Sequence, residues 1–274
     1  MTFTAAGGVE RATPHQDQSS TTRPNIRAWL FGPLTISIDG VVADVAASKR
    51  VRGLLAYLLA HRRAVPAHEL QQRLWPGSSE RSARNCLHVA VCHTRAALRA
   101  VTDALVVEHH QGSYRMADGM RVDTDIDDFE TALALARAVG ASSEQTMVLL
   151  RRAVDLSGQD FLADDHATPW VAERRLLLRR QAVDARLSLG EVLLARGSTG
   201  AAAELGLAVS NADPCDERAH RLAMRAFLAA GERHLARAQL DRCRAALQRS
   251  GQGAPDPTTI SVLQPSEQLP LFGR

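Results

Sequence analysis

Residues 79–101 read SERSARNCLHVAVCHTRAALRAV, and this stretch decides the fold. With 100° between successive residues of a helix, one set of side chains falls within about 80° and is predicted to be buried. This set consists of Leu87, Val91, Thr94, Leu98 and Val101. The opposite side carries Asn85, His88, Cys92, Arg95 and Arg99. Asn and Arg can bind base edges in a DNA major groove and Arg can hold phosphate, so the pattern favours a DNA-recognition helix over an ordinary solvated helix face.

Two further helices are predicted before this one. The first covers residues 48–60 with Ser48 as a cap, and the second covers residues 67–74 and ends at Pro76-Gly77. The first helix begins with three basic residues: Lys49, Arg50 and Arg52. Positive charge at a helix N-terminus opposes the macrodipole, so the cluster favours an anionic partner, although an ordinary charged helix start is the alternative.

Short β-rich runs flank the three helices. Residues 28–31 and 34–38 are followed by Asp39-Gly40 and residues 41–42, which is a hairpin signal because both turn positions need positive φ. A second hairpin is predicted from residues 104–108 and 113–116 around the turn at residues 109–112. This order is typical of a winged helix-turn-helix in which the second hairpin is the wing. Arg115 would then lie near a phosphate or the minor groove, and the histidines of the turn are either exposed polar groups or a pH-dependent charge.

Length and charge predict two domains. The 274 residues suffice for about two cores, and the net charge of +3 conceals an asymmetry. Basic and acidic residues number 2 and 2 in residues 1–25, 13 and 7 in residues 26–122, and 18 and 21 in residues 123–274. The net charges of the three segments are therefore 0, +6 and −3. A basic unit ahead of a mildly acidic one is expected if the first binds a polyanion and the second binds protein.

Several classes of protein are disfavoured. The start of the chain has no apolar signal-peptide core and no run is long enough to span a membrane, so we expect a soluble cytoplasmic protein without a membrane partner. The four cysteines lack CxxC spacing and favour reduced thiols. His88 and Cys92 could share a metal, but Cys86 and His93 point elsewhere, so no metal or cofactor is expected. Asp164, Asp165 and His166 lie in a predicted loop without a nucleophile motif, so we expect no enzyme.

The second half predicts helix after helix with alanine-rich faces. Gly197 and Gly231 are 34 residues apart, and Leu194 and Leu228 keep the same offset. Thirty-four residues is the tetratricopeptide period, so an all-α, tetratricopeptide-like repeat domain is predicted. Trp170 is predicted to be a core anchor in preference to a ligand platform.

Segments of both halves resemble the Streptomyces antibiotic regulatory protein (SARP) type of transcriptional activator. In the first half the resemblance rests on residues 48–52, 70–75, 82–91 and 112–115. In the second half the chain is similar to the bacterial transcriptional activation domain in residues 125–129, 158–165 (GQDFLADD), Trp170 with Glu173 and Arg174, residues 213–214, 217–220, Met224 and residues 231–233. The resemblance implies a mostly α fold with a small β part: an OmpR-like winged helix at residues 26–122 and an activation domain at 123–263, followed by a C-terminal tail (264–274). Residues 1–25 are rich in Ser, Thr, Gln and Pro without apolar periodicity, and this composition predicts a disordered tail.

The resemblance also implies a function. Such a regulator binds direct repeats of double-stranded DNA upstream of promoters, commonly of a secondary-metabolite gene cluster. Its helical domain helps it to form a homodimer on DNA and to contact RNA polymerase, so a nucleoid-associated location is expected. The residues expected to bind DNA are Lys49, Arg50, Arg52, Arg81, Arg84, Asn85, His88, Cys92, Arg95, Arg99 and Arg115. The alternative is a repeat-type adaptor whose winged helix has lost DNA contact and binds protein.

The chain departs from the family pattern late in the recognition helix. Where the family usually has Ser-Arg-Leu-Arg, this chain has Cys92-His93-Thr94-Arg95. One phosphate-binding arginine is thus replaced by histidine and one core leucine by threonine. Leu240 also stands where the family often has tyrosine. Loss of a fixed charge should weaken DNA binding and its salt dependence.

Overall fold

The structure, a computed structural model, describes residues 23–45, 48–140 and 143–264. The predicted tails at residues 1–25 and 264–274 lie outside the described residues, apart from residues 23–25 and 264. Both tails therefore stay predictions.

The predicted N-terminal hairpin is confirmed and belongs to a larger sheet. Strands β1 (Asn25–Trp29), β2 (Thr35–Ile38) and β3 (Val41–Val42) are antiparallel neighbours. Asp39 and Gly40 turn the chain with φ of 49° and 85°, which explains the Asp-Gly pair. The fourth strand comes much later in the sequence, because β7 (Arg121–Thr124) pairs in parallel with β1. The sequence analysis missed this strand.

Three helices follow as predicted. They are α1 (Lys49–His61), α2 (Ala67–Leu74) and α3 (Glu80–Arg99). Serine caps fix two of the starts, because the side chains of Ser48 and Ser79 accept hydrogen bonds from the backbone N–H groups of the first helical turns.

The second hairpin is also confirmed, with a tighter turn than predicted. It consists of β5 (Val107–His110) and β6 (Ser113–Met116), and the short β4 (Val65–Pro66) pairs with β6. His109 and His110 belong to β5, so the turn is only Gln111-Gly112, both at positive φ (48° and 75°). Sheet, three helices and terminal hairpin form a winged helix-turn-helix, as expected.

The second half, from Asp125 onward, is built in its described part from helices joined by loops. Consecutive helices pack against each other in pairs, and the turns at Gly197 and Gly231 both have positive φ. The helices are α4 (Asp125–Val139), α5 (Glu144–Leu156), α6 (Pro169–Ala195), α7 (Thr199–Ala212), α8 (Glu217–Ala229), α9 (Arg233–Arg249) and α10 (Pro257–Ser261). Equivalent turns thus recur at the spacing seen in the sequence. None of the helices in the described residues has the length and apolar character needed to cross a membrane.

Helices α7 and α8 approach so closely that one position requires glycine. A Cβ atom added to Gly206 would lie 2.8 Å from the backbone nitrogen of Ala223 and 2.9 Å from the carbonyl oxygen of Ala219. Backbone atoms cannot move aside as a flexible side chain can. The small residues of the sequence therefore serve this contact.

Backbone and side-chain hydrogen bonds join the two halves. Asp125, buried at the start of α4, accepts hydrogen bonds from the backbone N–H groups of Leu30 (2.8 Å) and Phe31 (2.9 Å). Burial raises the pKa of Asp125, although these two donors favour the charged form. Phe31 also forms a β-bridge with Phe161. The predicted boundary between residues 122 and 123 falls inside β7, and the exact division stays a prediction.

Trp170 anchors this junction, as predicted. It is 5% exposed, and its ring centroid lies 4.9 Å from that of Tyr57 on α1 and 5.9 Å from that of Phe161. The Tyr57 hydroxyl in turn donates a hydrogen bond to Glu69 of α2 (2.7 Å), and Arg63 pairs with the same carboxylate. The hydrogen bond from Arg63 lowers the pKa of Glu69, whereas burial raises the pKa of Tyr57 to about 12. The aromatic cluster therefore connects α1, α2 and the helical half.

Candidate nucleic-acid interface

One face of α3 is exposed along the whole helix. Six of the predicted DNA-binding residues lie exposed on it: Arg81, Arg84, Asn85, His88, Cys92 and Arg99. At 100° per residue these side chains span about 100° of the helix circumference. The distance from Arg81 to Arg99 along the axis is about 27 Å at 1.5 Å per residue. We call this face the α3 stripe, and its dimensions suit a helix lying in a major groove about 12 Å wide.

The opposite side of α3 is packed on the core, which leaves the α3 stripe facing solvent. Leu87, Val91 and Leu98 are buried against the core, and Thr94 is completely buried, whereas Val101 is only partly buried. The helix packs mainly on α1, α2 and β5, all within the winged helix. The prediction that this helix turns its polar side away from the core is therefore confirmed. The Thr94 hydroxyl finds no hydrogen-bond partner among the described residues.

Arg95 connects the recognition helix to the wing. Its Nε and Nη2 atoms donate hydrogen bonds to the carbonyl oxygen of Val107 in β5, at 3.2 and 3.0 Å. The side chain is half-buried. Arg95 thus fixes the position of β5 on α3.

The wing arginine has two acidic neighbours. Arg115 pairs with Glu108 across the β5–β6 ladder at 3.1 Å and also with Asp118. These contacts orient the guanidinium but also neutralise part of its charge. The wing tip carries the exposed His109 and His110, and His109 packs on Tyr114 with ring centroids 4.6 Å apart. The tip of the wing therefore presents imidazole groups, whereas the guanidinium of Arg115 is paired with carboxylates.

The basic start of α1 faces the helical half. Lys49 and Arg52 line a small cleft together with Asp164 and Asp165, and Arg52 Nε lies 3.6 Å from an Asp164 carboxylate oxygen. Arg50 is exposed beside the same cleft. Arg52 thus has an acidic neighbour within the chain, and the expected phosphate contacts of Lys49, Arg50 and Arg52 stay a prediction. The structure brings Lys49 and Arg52 to the acidic loop, and the α3 stripe lies on a different helix.

Two of the predicted arginines on the α3 stripe have no acidic partner in the part of the chain that the structure describes. Within residues 23–45, 48–140 and 143–264, Arg81 and Arg99 form no ion pair. Arg84 pairs with Glu80 one turn away, but both side chains are exposed, and such pairs contribute little. The stripe therefore offers three exposed arginines to a polyanion.

The residues that could suggest a metal or a catalytic centre have structural contacts. Cys92 Sγ lies 3.8 Å from His88 Nε2, but no group of three potential metal ligands occurs in the described part of the chain. Asp165 accepts a hydrogen bond from the Thr168 hydroxyl (2.7 Å) in front of α6. The Thr168 hydroxyl and nearby backbone N–H groups lower the pKa of Asp165, against the effect of its burial. The acidic loop thus starts a helix and pairs with α1.

Sequence reasoning missed two relevant positions. Ala96 is exposed beside the α3 stripe, about 20° from Asn85, where its methyl group could contact a thymine methyl. The helical periodicity alone was enough to find it. The pairing of Asp164 with Arg52 was missed because the two residues lie in different halves of the chain and no local pattern connects them.

Comparison with known proteins assigns the second half to a family and finds a similar fold for most of the chain. The profile of the bacterial transcriptional activator domain family matches residues 124–264. A solved structure of Mycobacterium tuberculosis EmbR in complex with a low affinity phosphopeptide is similar over 88% of this chain, with a TM-score of 0.77 and 22% sequence identity. The match covers 64% of that chain. A search of curated proteins found no match.

Proposed function

Because this chain belongs to the bacterial transcriptional activator domain family, we propose that it is a transcriptional activator of the SARP type and that it acts by binding specific sites on double-stranded DNA. The family and the fold are those of regulators, which are not usually enzymes. The observation that carries the proposal is the α3 stripe, an exposed basic face on a helix supported from behind by the core.

In the proposed complex, the α3 stripe lies in the major groove. Asn85 and Arg84 have the side chains that bind base edges with two hydrogen bonds, to adenine and guanine respectively. Arg81 and Arg99, near the two ends of the helix, bind phosphates, and Arg95 keeps the wing against the helix. His93 stands where the family has a phosphate-binding arginine, so each protomer makes one fixed charge contact fewer than its relatives.

The finer functional assignment follows the family resemblance. We propose that two copies bind direct repeats upstream of promoters in a secondary-metabolite gene cluster and recruit RNA polymerase there, in the cytoplasm at the nucleoid. The paired helices of the second half would be the tetratricopeptide-like surface for these protein contacts. The recurrent turns at Gly197 and Gly231 support this part of the proposal.

Footprinting on genomic DNA tests the proposal. The wild type should protect segments about one helical turn apart, because two copies on one DNA face are spaced in this way. The variant Arg81→Gln/Arg99→Gln should lose protection, and its salt slope should fall by about 0.9 for each phosphate contact removed. Arg237→Gln, an exposed position on α9, is the matched control and should behave as wild type. Absence of any protected segment for the wild type near 0.1 M salt would refute DNA binding.

A second candidate is the adaptor, and one observation favours it. Two of the predicted DNA-binding arginines, Arg52 and Arg115, lie beside carboxylates that partly neutralise them. If the protein is an adaptor, the triple variant in which alanine replaces Arg84, Arg95 and Arg115 should give unchanged reporter output in cells. A DNA-binding activator would lose output with this triple variant while its thermal stability indicates a folded protein.

A further inference from the structure

A cavity lies between the α4–α5 helix pair and α6, in the helical half and away from the α3 stripe. Its volume is about 800 Å³. This volume is within the range of about 300–1,000 Å³ that is usual for small-molecule sites. Most of its accessible lining is apolar and includes the buried side chains of Leu133, Ala136, Leu150 and Ala185. The cavity, which is partly open to solvent, is therefore large enough and apolar enough to hold the hydrocarbon part of a ligand.

One polar atom in the cavity wall has no partner. Gln181, on α6, lines the cavity, and its Oε1 atom is buried without a hydrogen-bond donor among the described residues. An amide oxygen taken out of water without a donor is unfavourable, and such atoms call for an explanation. This oxygen has almost no accessible surface, so a ligand hydroxyl in the cavity would supply the donor once the Gln181 side chain turns toward it.

The charged residues of the cavity favour an anion. Arg137 on α4 and Arg196 at the end of α6 are exposed and line the cavity, and neither forms an ion pair with any residue that the structure describes. The two acidic lining residues are already paired with arginines of α8. Asp184 binds Arg218 at 2.8 Å, and Glu191 binds Arg225 at 2.7 Å. The two acids are therefore partly neutralised by α8, whereas the charges of Arg137 and Arg196 are left to attract an anion.

We propose that this cavity binds an amphipathic carboxylic acid that also carries a hydroxyl group. Its hydrocarbon body packs on Leu133, Leu150 and Ala185, and its hydroxyl donates a hydrogen bond to Gln181. Its carboxylate pairs with Arg137 and Arg196. The proposal goes beyond DNA binding and does not depend on it, since all of these residues belong to α4, α5 and α6.

Isothermal titration of the full chain with 3-hydroxydecanoate, without DNA, tests the site. Wild type should bind it saturably, with weaker binding of decanoate and of the uncharged 1,3-decanediol. Arg137→Gln/Arg196→Gln should weaken the binding of 3-hydroxydecanoate at least tenfold and leave the binding of the diol unchanged. Gln181→Leu should abolish the preference for the hydroxy acid over decanoate. Arg237→Gln, which lies outside the cavity, should bind as wild type.

Two filling variants make the test independent of a folding defect. Ala185→Phe occupies the buried wall, and Ser188→Phe occupies an exposed lining position that the core does not need. Both should reduce binding at least tenfold while the melting temperature of Ser188→Phe stays near wild type. The proposal is overturned if the wild type shows no saturable binding, or if a folded Ser188→Phe variant binds 3-hydroxydecanoate as well as wild type does.

Discussion

Thr94 provides a test of how α3 packs on the core, because the same substitution should change the free energy of unfolding in opposite directions at two buried threonines. Thr94 is 0% exposed and its hydroxyl has no partner in the described residues. Thr94→Val replaces the hydroxyl with a methyl group of nearly the same shape. Thr124 is also buried, but its hydroxyl caps α4 by accepting a hydrogen bond from the Asp127 N–H at 3.0 Å.

The expected size of the effect follows from these contacts. A buried hydroxyl without a partner costs about 1–3 kcal/mol, and Val and Thr have similar helix propensities. We therefore expect Thr94→Val to raise the free energy of unfolding by about 1–2 kcal/mol and the melting temperature by about 2–6 °C. Loss of an N-cap costs about 0.5–2 kcal/mol, so Thr124→Val should lower stability by this amount.

Urea unfolding followed by circular dichroism measures both variants against wild type. An unchanged slope with a shifted midpoint would show that stability alone has changed. If Thr94→Val destabilised the protein, the hydroxyl would have a partner, and the packing described for the back of α3 would be wrong.

Three further predictions concern other parts of the molecule. Asp164→Asn removes a negative charge beside Arg52 and should therefore strengthen DNA binding a few-fold at low salt; equal affinity of Asp164→Asn and wild type in fluorescence anisotropy would argue against it. Glu69 has a lowered pKa, so its ion pair stabilises the fold above the unfolded-state pKa and is lost as pH falls through the folded pKa. The stability difference between wild type and Glu69→Gln, at most about 1 kcal/mol for this partly exposed pair, should therefore shrink between pH 6 and pH 3, and a constant difference would contradict it. Gly206→Ala should destabilise by more than about 2 kcal/mol, whereas Gly200→Ala, with no atom within 4 Å of the added Cβ, should be neutral or stabilising by up to about 1 kcal/mol; equal effects on thermal unfolding would refute the close contact of α7 with α8.

Local signals explain what could be predicted of the fold. The bounds of α1, α2 and α3 follow from apolar periodicity, serine caps and the Pro76-Gly77 stop, which all act within a few residues. The two hairpins follow from turn residues that accept positive φ. The burial of Thr94 is also a local property of the helix, whereas the absence of a partner for its hydroxyl depends on every neighbour in the core.

Contacts between distant parts of the chain could not be predicted in the same way. Strand β7 is only four residues long and finds its partner β1 almost a hundred residues earlier. Asp125 is an ordinary first-turn carboxylate by sequence, yet it binds the backbone at the end of β1. The acidic partners of Arg52 and Arg115 belong to the same class of long-range or cross-strand contact. For the candidate site, the sequence therefore predicted which side of α3 is exposed, but not which arginines are already paired.

The central claim is that the α3 stripe lies in a DNA groove, and the alkylation rate of the native Cys92 thiol tests this directly. Its thiol is exposed on the stripe, whereas Cys215 lies partly exposed in the helical half and is an internal control in the same molecule. Alkylation by iodoacetamide, followed by mass spectrometry with and without the footprinted DNA site, gives the two rates together. The account predicts at least tenfold slower alkylation of Cys92 on DNA, with Cys215 unchanged. Equal alkylation of Cys92 with and without saturating DNA would contradict it.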